Sequence, residues 1–303
     1  MKIGVIGYGN MGSMIVNNIL KLNLLLDDEE LIVSNRHLNK FESLIEEYPE
    51  ENLNITSDNT EVATQCEKIL ISVETPQFKD VLDEITPFIN EKTHIIYTCA
   101  GLNFNHIKQF FDGKLSLVIP TLASTVTSNN AISSLSRRKG VTLIKHNKKV
   151  ELEEKLFIED IFNEFSYVKR IDDPIYYNED DVVVPSNDPE LEISTIISSC
   201  GPAFIAKMIE SFAQACDDMT NISKEEAEDM IVKTIVGTSL LKDDQSLSND
   251  EIINKVATKK GITQEGVDLL DKKMNKISKD LIKTLLNRYE EVNNDMNETY
   301  LKK

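Results

Sequence analysis

The sequence is poor in the residues that staple small or secreted folds. It has no tryptophan, four cysteines and four histidines in 303 residues. Cys66, Cys99, Cys200 and Cys216 stand far apart, with no pair at metal-ligand spacing. A chain of this length can build a core without disulfides, so the four read as free thiols. His37, His94, His106 and His146 are equally scattered, and no metal site is expected. Apolar runs are read as too short to cross a bilayer. Met1-Lys2-Ile3-Gly4-Val5-Ile6 enters a strand directly, without the charged and apolar regions of an export signal. The expected location is the cytoplasm, with no membrane partner. Cations are scarce as well: 33 Lys and Arg against 51 Asp and Glu, a formal net charge of -18. Such a surface repels phosphate backbones and argues against nucleic acid as a partner.

With 41% hydrophobic and 28% charged residues the composition is that of a globular protein, and its length favours two domains. Residues 2–6 form an apolar run ending in glycine. Residues 10–22 carry Met11, Met14, Ile15 and Ile19 at helical spacing, and Leu31-Ile32-Val33 is a second short apolar run. The alternation of strand and helix continues through a helix at 41–48, a strand at 69–73, a helix opened by Pro76, a strand at 94–97 and a helix at 104–111. Strands at 115–119 and 140–144 and a helix at 150–165 complete it. The pattern predicts an α/β fold, a Rossmann-type doubly wound parallel sheet over residues 1–171. Residues 172–192 hold Pro174, Pro185 and Pro189 among acids and read as an acidic linker. From 193 to 303 only helical periodicity remains, at 205–219, 224–241 and from 267 onward, with 293–303 expected to fray.

Gly7-Tyr8-Gly9-Asn10-Met11-Gly12 follows a strand and opens a helix, the context that gives a glycine pattern its meaning. Gly7 permits a tight turn, Gly9 lets backbone approach a pyrophosphate, and Gly12 lets helix and strand pack closely. A dinucleotide is the expected ligand. Its identity depends on the tip of the second strand, Ser34-Asn35-Arg36. Asp27, Asp28, Glu29 and Glu30 precede that strand and sit at its wrong end for a ribose. Arg36, with Ser34 and Asn35 as donors, favours NADP over NAD.

Three segments together resemble the pyrroline-5-carboxylate reductase family: residues 4–12, Ser34-Asn35-Arg36, and Ser198-Ser199-Cys200-Gly201-Pro202-Ala203-Phe204. The resemblance extends over nearly the whole chain and includes Val73, Pro76-Gln77, Ala100-Gly101, Pro120 and Gly261-Ile262-Thr263. Features at 199–202 and 261–266 are similar to the late-competence-operon branch. The resemblance implies hydride transfer from NADPH to the C=N carbon of a small cyclic imino acid, 1-pyrroline-5-carboxylate, yielding L-proline. It also implies a homodimer or larger assembly through the helical domain. Val73, Ala100 and Gly101 would line the nicotinamide side. Thr258, Gly261 and Ile262 would cradle the substrate, and Thr263 would place a hydroxyl near the imine nitrogen.

Departures from the family pattern keep other readings open. Thr258-Lys259-Lys260-Gly261-Ile262-Thr263 stands where a Ser-Pro-Gly-Gly-Thr-Thr-like run is usual, and Val73-Glu74-Thr75-Pro76 stands for Val-Lys-Pro. Isoleucine supplies no hydroxyl, and losing a glycine removes backbone freedom. The alternatives are a non-catalytic or regulatory NADP-binding paralogue and a reductase of a different imine or ketone. Cys200 reads as a small residue before a helix start at Gly201-Pro202 rather than as a reactive thiol.

Overall fold

The computed structural model describes residues 1–26, 28–49, 52–125, 139–172, 176–177, 182–183, 188–243 and 245–301. The chain forms two compact units, Met1–Ser199 with Arg288–Lys303, and Cys200–Asn287. The first unit thus extends past the expected limit at residue 171 and takes back the end of the chain. Asp27 and most of the expected linker, residues 173–175, 178–181 and 184–187, lie outside the described residues. Asp188 and the residues after it are not linker: Asp188 caps a helix, Pro189–Thr195, by accepting from the Leu191 N–H.

The first unit contains strands β1 (Lys2–Ile6), β2 (Glu30–Ser34), β3 (Leu53–Thr56), β4 (Lys68–Ile71), β5 (His94–Tyr97), β6 (Lys114–Ile119), β7 (Val141–His146) and β8 (Tyr167–Arg170). They form one sheet in the order β3-β2-β1-β4-β5-β6-β7-β8. Helices α1 (Asn10–Lys21), α2 (Glu42–Glu47), α3 (Asn59–Gln65), α4 (Thr75–Ile85), α5 (Phe104–Lys108) and α6 (Leu152–Asn163) connect them. β1 pairs in parallel with both β2 and β4, so the strand order reverses there. Alternate residues feed opposite faces. Val5, Leu31 and Val33 pack with Ile15, Phe41 and Phe165, whereas Ile6 and Ile32 pack with Val62, Phe78 and Tyr97. Covering both faces is why the strands read as unbroken apolar runs. Burying each of these large side chains contributes about 1.5–3 kcal/mol before entropy is counted.

Two expectations about the sheet are corrected. β7 runs antiparallel to β6, and β8, not foreseen, pairs in parallel with β7. Apolar periodicity reports burial and carries no information on strand direction. β3 and α3 lie outside the expected elements; Leu53-Asn54-Ile55-Thr56 is a half-buried edge strand with polar residues on its outer side, which leaves no apolar run.

The chain end is docked rather than frayed. Following the Pro189–Thr195 helix, here α7, come α8 (Gly201–Met219), α9 (Lys224–Asp243), α10 (Asn249–Val256) and α11 (Ile262–Tyr300). Tyr300 is 3% exposed and packs against His106 and Phe110. His106 Nδ1 accepts from the Asn103 N–H, so its Nε2 hydrogen faces Asn297 Oδ1 at 2.9 Å. A polar sequence at 293–303 therefore hides one aromatic anchor.

α7 leads into α8 through a π-helical segment, Ile196–Cys200. Pro202 lacks an N–H and would crowd the carbonyl four residues back, and a widened turn relieves both problems. Cys200 consequently sits within a continuing helix, not at a free N-terminus, and burial pushes its thiol up. Against expectation, the run Pro189–Met219 is long and apolar enough, by length and composition alone, to cross a membrane. The second unit has little core of its own. Among the described residues its helices bury only Ala213 and Ala227, while Met208, Phe212, Val236 and Leu269 are exposed.

A polar chain that runs inward from exposed Arg170 to buried His94 ties the antiparallel end of the sheet. Arg170 grips Glu159 with two hydrogen bonds of 2.6 and 2.7 Å. Glu159 accepts from His146 Nε2 at 3.1 Å, and Ser116 Oγ lies 2.6 Å from His146 Nδ1 and 2.7 Å from His94 Nε2. An ionised Glu159 can only accept, which fixes every proton. His146 donates to Glu159, Ser116 donates to His146, and His94 donates to Ser116. His94 Nδ1 is then a buried acceptor without a partner. Burial of the ring pushes His94 down to about 3 and His146 below its usual range. Below the ordinary histidine value of 6.5 the unfolded chain takes up protons that the folded chain refuses, so acid favours unfolding. Stability should fall by about 1 kcal/mol per pH unit from His94 alone between pH 6.5 and 5, above the carboxylate range. Urea unfolding at pH 7, 6 and 5 checks this, and a flat response would contradict the assigned protonation.

Candidate active site

The site forms where the strand order reverses, at the carboxyl ends of β1, β2, β4 and β5. The chain leaves β1 through Gly7, whose φ of +98° is open only to glycine at low cost. A Cβ there would also collide with the Ser72 carbonyl oxygen. Gly12, one turn into α1, faces the Gly7 carbonyl oxygen, and any side chain would drive the helix off the strand. Gly9 differs from both. It caps α1 with negative φ, and a Cβ placed on it would meet nothing within 4 Å. Having no side-chain acceptor at the cap and no acid in the first turn, α1 presents its N–H groups and positive end unopposed.

Gly7, Tyr8, Gly9, Asn10, Met11, Asn35, Arg36, Val73 and Ala100 together line one cavity of about 590 Å³. The structure thereby gathers residues far apart in sequence. Gly12 and Gly101 are not on its wall. Gly12 packs behind the turn, and Gly101, at φ +96°, reverses the chain after β5 with Val292 against it.

The tip of β2 differs from its expected chemistry. Asn35 Oδ1 accepts from the Tyr8 N–H and Asn35 Nδ2 donates to the His37 carbonyl, so this amide braces the glycine turn with its oxygen and one of its two N–H hydrogens. Ser34 is fully buried and donates its hydroxyl proton to Asn59 Oδ1 at 2.7 Å. Arg36 alone projects, with Gln77 Oε1 accepting from its guanidinium at 3.2 Å. Asp28, Glu29 and Glu30 lie at the opposite end of β2, as read: Glu29 accepts from the Leu26 N–H and Glu30 pairs with Lys2.

Ser72, Glu74, Thr98 and Cys99 also line the wall around Val73, and His37, Lys40, Thr75 and Gln77 complete it. Ser72, Thr98 and Cys99 are not among the residues expected from sequence, although their place just after β4 and β5 is the available signal. Thr98 donates to Ser72 Oγ at 3.2 Å, and Cys99 donates to the Val73 carbonyl at 3.2 Å. Burial pushes the Cys99 thiol up to about 12, which leaves it unreactive.

Thr258, Gly261, Ile262 and Thr263 belong to the second unit. Gly261 N–H closes a turn on the Thr258 carbonyl at 2.8 Å. Lys260, standing where the family pattern has a glycine, adopts φ +63°. The left-handed turn survives without the residue that makes it cheap. Ile262 is 93% exposed at the start of α11, and Thr263 is exposed beside it.

Comparison with known proteins agrees with this architecture. Residues 2–101 match the family model described as NADP oxidoreductase coenzyme F420-dependent, and residues 188–292 match that of pyrroline-5-carboxylate reductase dimerisation. The chain is 40% identical over 273 residues to a pyrroline-5-carboxylate reductase of Methanobrevibacter smithii, covering 90% of this chain and 98% of that protein. It is 24% identical to ComE operon protein 4 of Bacillus subtilis (strain 168), over 89% of each. In fold it resembles the NADP-bound pyrroline carboxylate reductase of Plasmodium falciparum, with a TM-score of 0.74 and 22% identity over 97% of this chain and 98% of that one. On these grounds the chain belongs to the pyrroline-5-carboxylate reductase family.

Proposed function

We propose that this chain is an NADP-linked reductase that converts 1-pyrroline-5-carboxylate to L-proline in the cytoplasm. The observation that carries the reading is the uncapped start of α1 beneath a glycine, Gly9, with open space above it. It stands in a family member whose relatives bear that activity in their names. A pyrophosphate suits such a helix end, where several N–H groups and the helix dipole converge.

The main chain of Tyr8, Gly9, Asn10 and Met11 would hold the pyrophosphate, with Gly7 and Gly12 fixing the turn. Arg36, a cation at the tip of β2, would meet the 2'-phosphate. Val73 and Ala100, with the loop that Gly101 turns, would flank the nicotinamide, which supplies the hydride when bound. Asn35 orients the Tyr8 N–H, and Ser34 acts behind the pocket through Asn59. In the second unit Thr258, Gly261 and Ile262 would surround the substrate carboxylate, with Thr263 donating its hydroxyl hydrogen toward the imine nitrogen. The apolar positions exposed on α8 and α9 would meet a second copy, giving a homodimer or larger homo-oligomer. This reading also accounts for the apolar run Pro189–Met219 without a membrane.

A second reading, a cofactor-binding paralogue without turnover, is favoured by the second unit's turn, where Lys260 and Ile262 replace a glycine and a hydroxyl residue. Addition of 1-pyrroline-5-carboxylate to the protein and NADPH separates the two. Loss of NADPH absorbance is expected, with turnover about 100-fold lower in Thr263→Ala. NADPH binding with no oxidation would establish the paralogue, and unchanged turnover in the variant would remove Thr263 from the reaction.

The glycines give an independent check. Gly9→Ala should leave the urea midpoint nearly unchanged yet weaken NADPH about 10-fold or more, because its methyl intrudes only on a ligand. Gly12→Ala should cost about 2 kcal/mol or more of stability, because its methyl meets protein backbone. Equal behaviour of the two variants would contradict the assigned roles.

A further inference from the structure

A smaller cavity of about 180 Å³ adjoins the main one and shares Gly7, Asn35, Arg36, Val73 and Gln77 with it. Its wall carries one cation, Arg36, and two carboxylates, Asp80 and Glu84, contributed by α4. Among the described residues neither Arg36 nor Glu84 forms an ion pair, and Arg36 is held by the neutral amide of Gln77. Glu84 is exposed but tethered, since Asn59 Nδ2 donates to Glu84 Oε2 at 2.8 Å. The amide's other end accepts from Ser34 Oγ at 2.7 Å.

Glu84 dictates the direction of this short chain. A carboxylate only accepts, so Asn59 must turn its Nδ2 toward Glu84 and its Oδ1 toward Ser34. Ser34 must then spend its single proton on Asn59. The strand tip that sequence alone assigns to phosphate binding thus loses the Ser34 hydroxyl as a donor, and Arg36, its one cation, shares a cavity wall with a carboxylate that forms no ion pair among the described residues.

We infer that Glu84 is a specificity-determining residue that opposes the 2'-phosphate and narrows the preference for NADPH over NADH. The inference rests on the proposed dinucleotide site. NADPH brings about two more negative charges than NADH to the tip of β2, so a carboxylate on that wall penalises one cofactor and is nearly silent toward the other. Asn59 makes the penalty effective by holding the carboxylate at the cavity instead of leaving it free in solvent.

Titration of the intact chain with NADPH and with NADH, at low and high salt, tests this. Glu84→Gln should tighten NADPH about three-fold at low salt and leave NADH unchanged, the scale of one partly screened surface charge. High salt should shrink the gain. Glu153→Gln, which removes the same charge from α6, should change neither constant. Equal shifts for both cofactors, no shift for either, or the same gain from Glu153→Gln would overturn the inference while leaving the dinucleotide site intact. If the unaltered chain binds neither cofactor, the site itself fails, and the inference with it.

Discussion

The contact on which the molecule turns is that of Gly12 with the Gly7 carbonyl, backed by Ser72 after β4. It exists only because neither glycine has a side chain. This closeness sets the angle at which α1 leaves β1 and points the unopposed helix end at the reversal of strand order. Neighbouring structure serves the same geometry. Asn35 braces Tyr8 from β2, Tyr8 packs against Phe41 with tilted rings whose centroids are 4.6 Å apart, and Thr98 reaches Ser72 from β5. Four strand ends are thereby held at one opening.

The two units solve the problem of stability differently. The first buries both faces of its sheet and holds polar side chains within it in hydrogen-bonded sets, among them the chain from Arg170 to His94 and the bond that ties Asn297 to His106, beside which Tyr300 packs. The second exposes most of its large apolar side chains, including Phe212 at 63%. Helices of that composition gain most of their stability from packing rather than from propensity. Their apolar faces suit a second copy, in keeping with the dimerisation model that residues 188–292 match. The unit that looks least finished lies within the residues that match the family's dimerisation model.

Much of the fold was legible because its signals are local. Buried parallel strands write themselves as apolar runs, and Gly7 and Gly12 mark a turn and a close helix–strand contact whose steric reasons the structure bears out. What stayed hidden depends on partners far away in sequence. The direction of β7 is set by pairing across the sheet. Tyr300 is an anchor only because His106 and Phe110 wait 190 or more residues earlier. Ser34 looks like a donor to a ligand until Asn59 is seen to take its proton, and Asn35 also serves as the acceptor that braces the Tyr8 N–H. Cys200 looked like the start of a helix because Gly-Pro usually marks one, yet a π segment carries the helix through.

Hydrogen exchange of the intact chain with and without NADPH tests the central claim most directly. The account predicts slowed exchange of the Tyr8, Gly9, Asn10 and Met11 amides when cofactor is present, since those N–H groups would be taken up by the pyrophosphate. Unchanged exchange over that turn at saturating NADPH would contradict it.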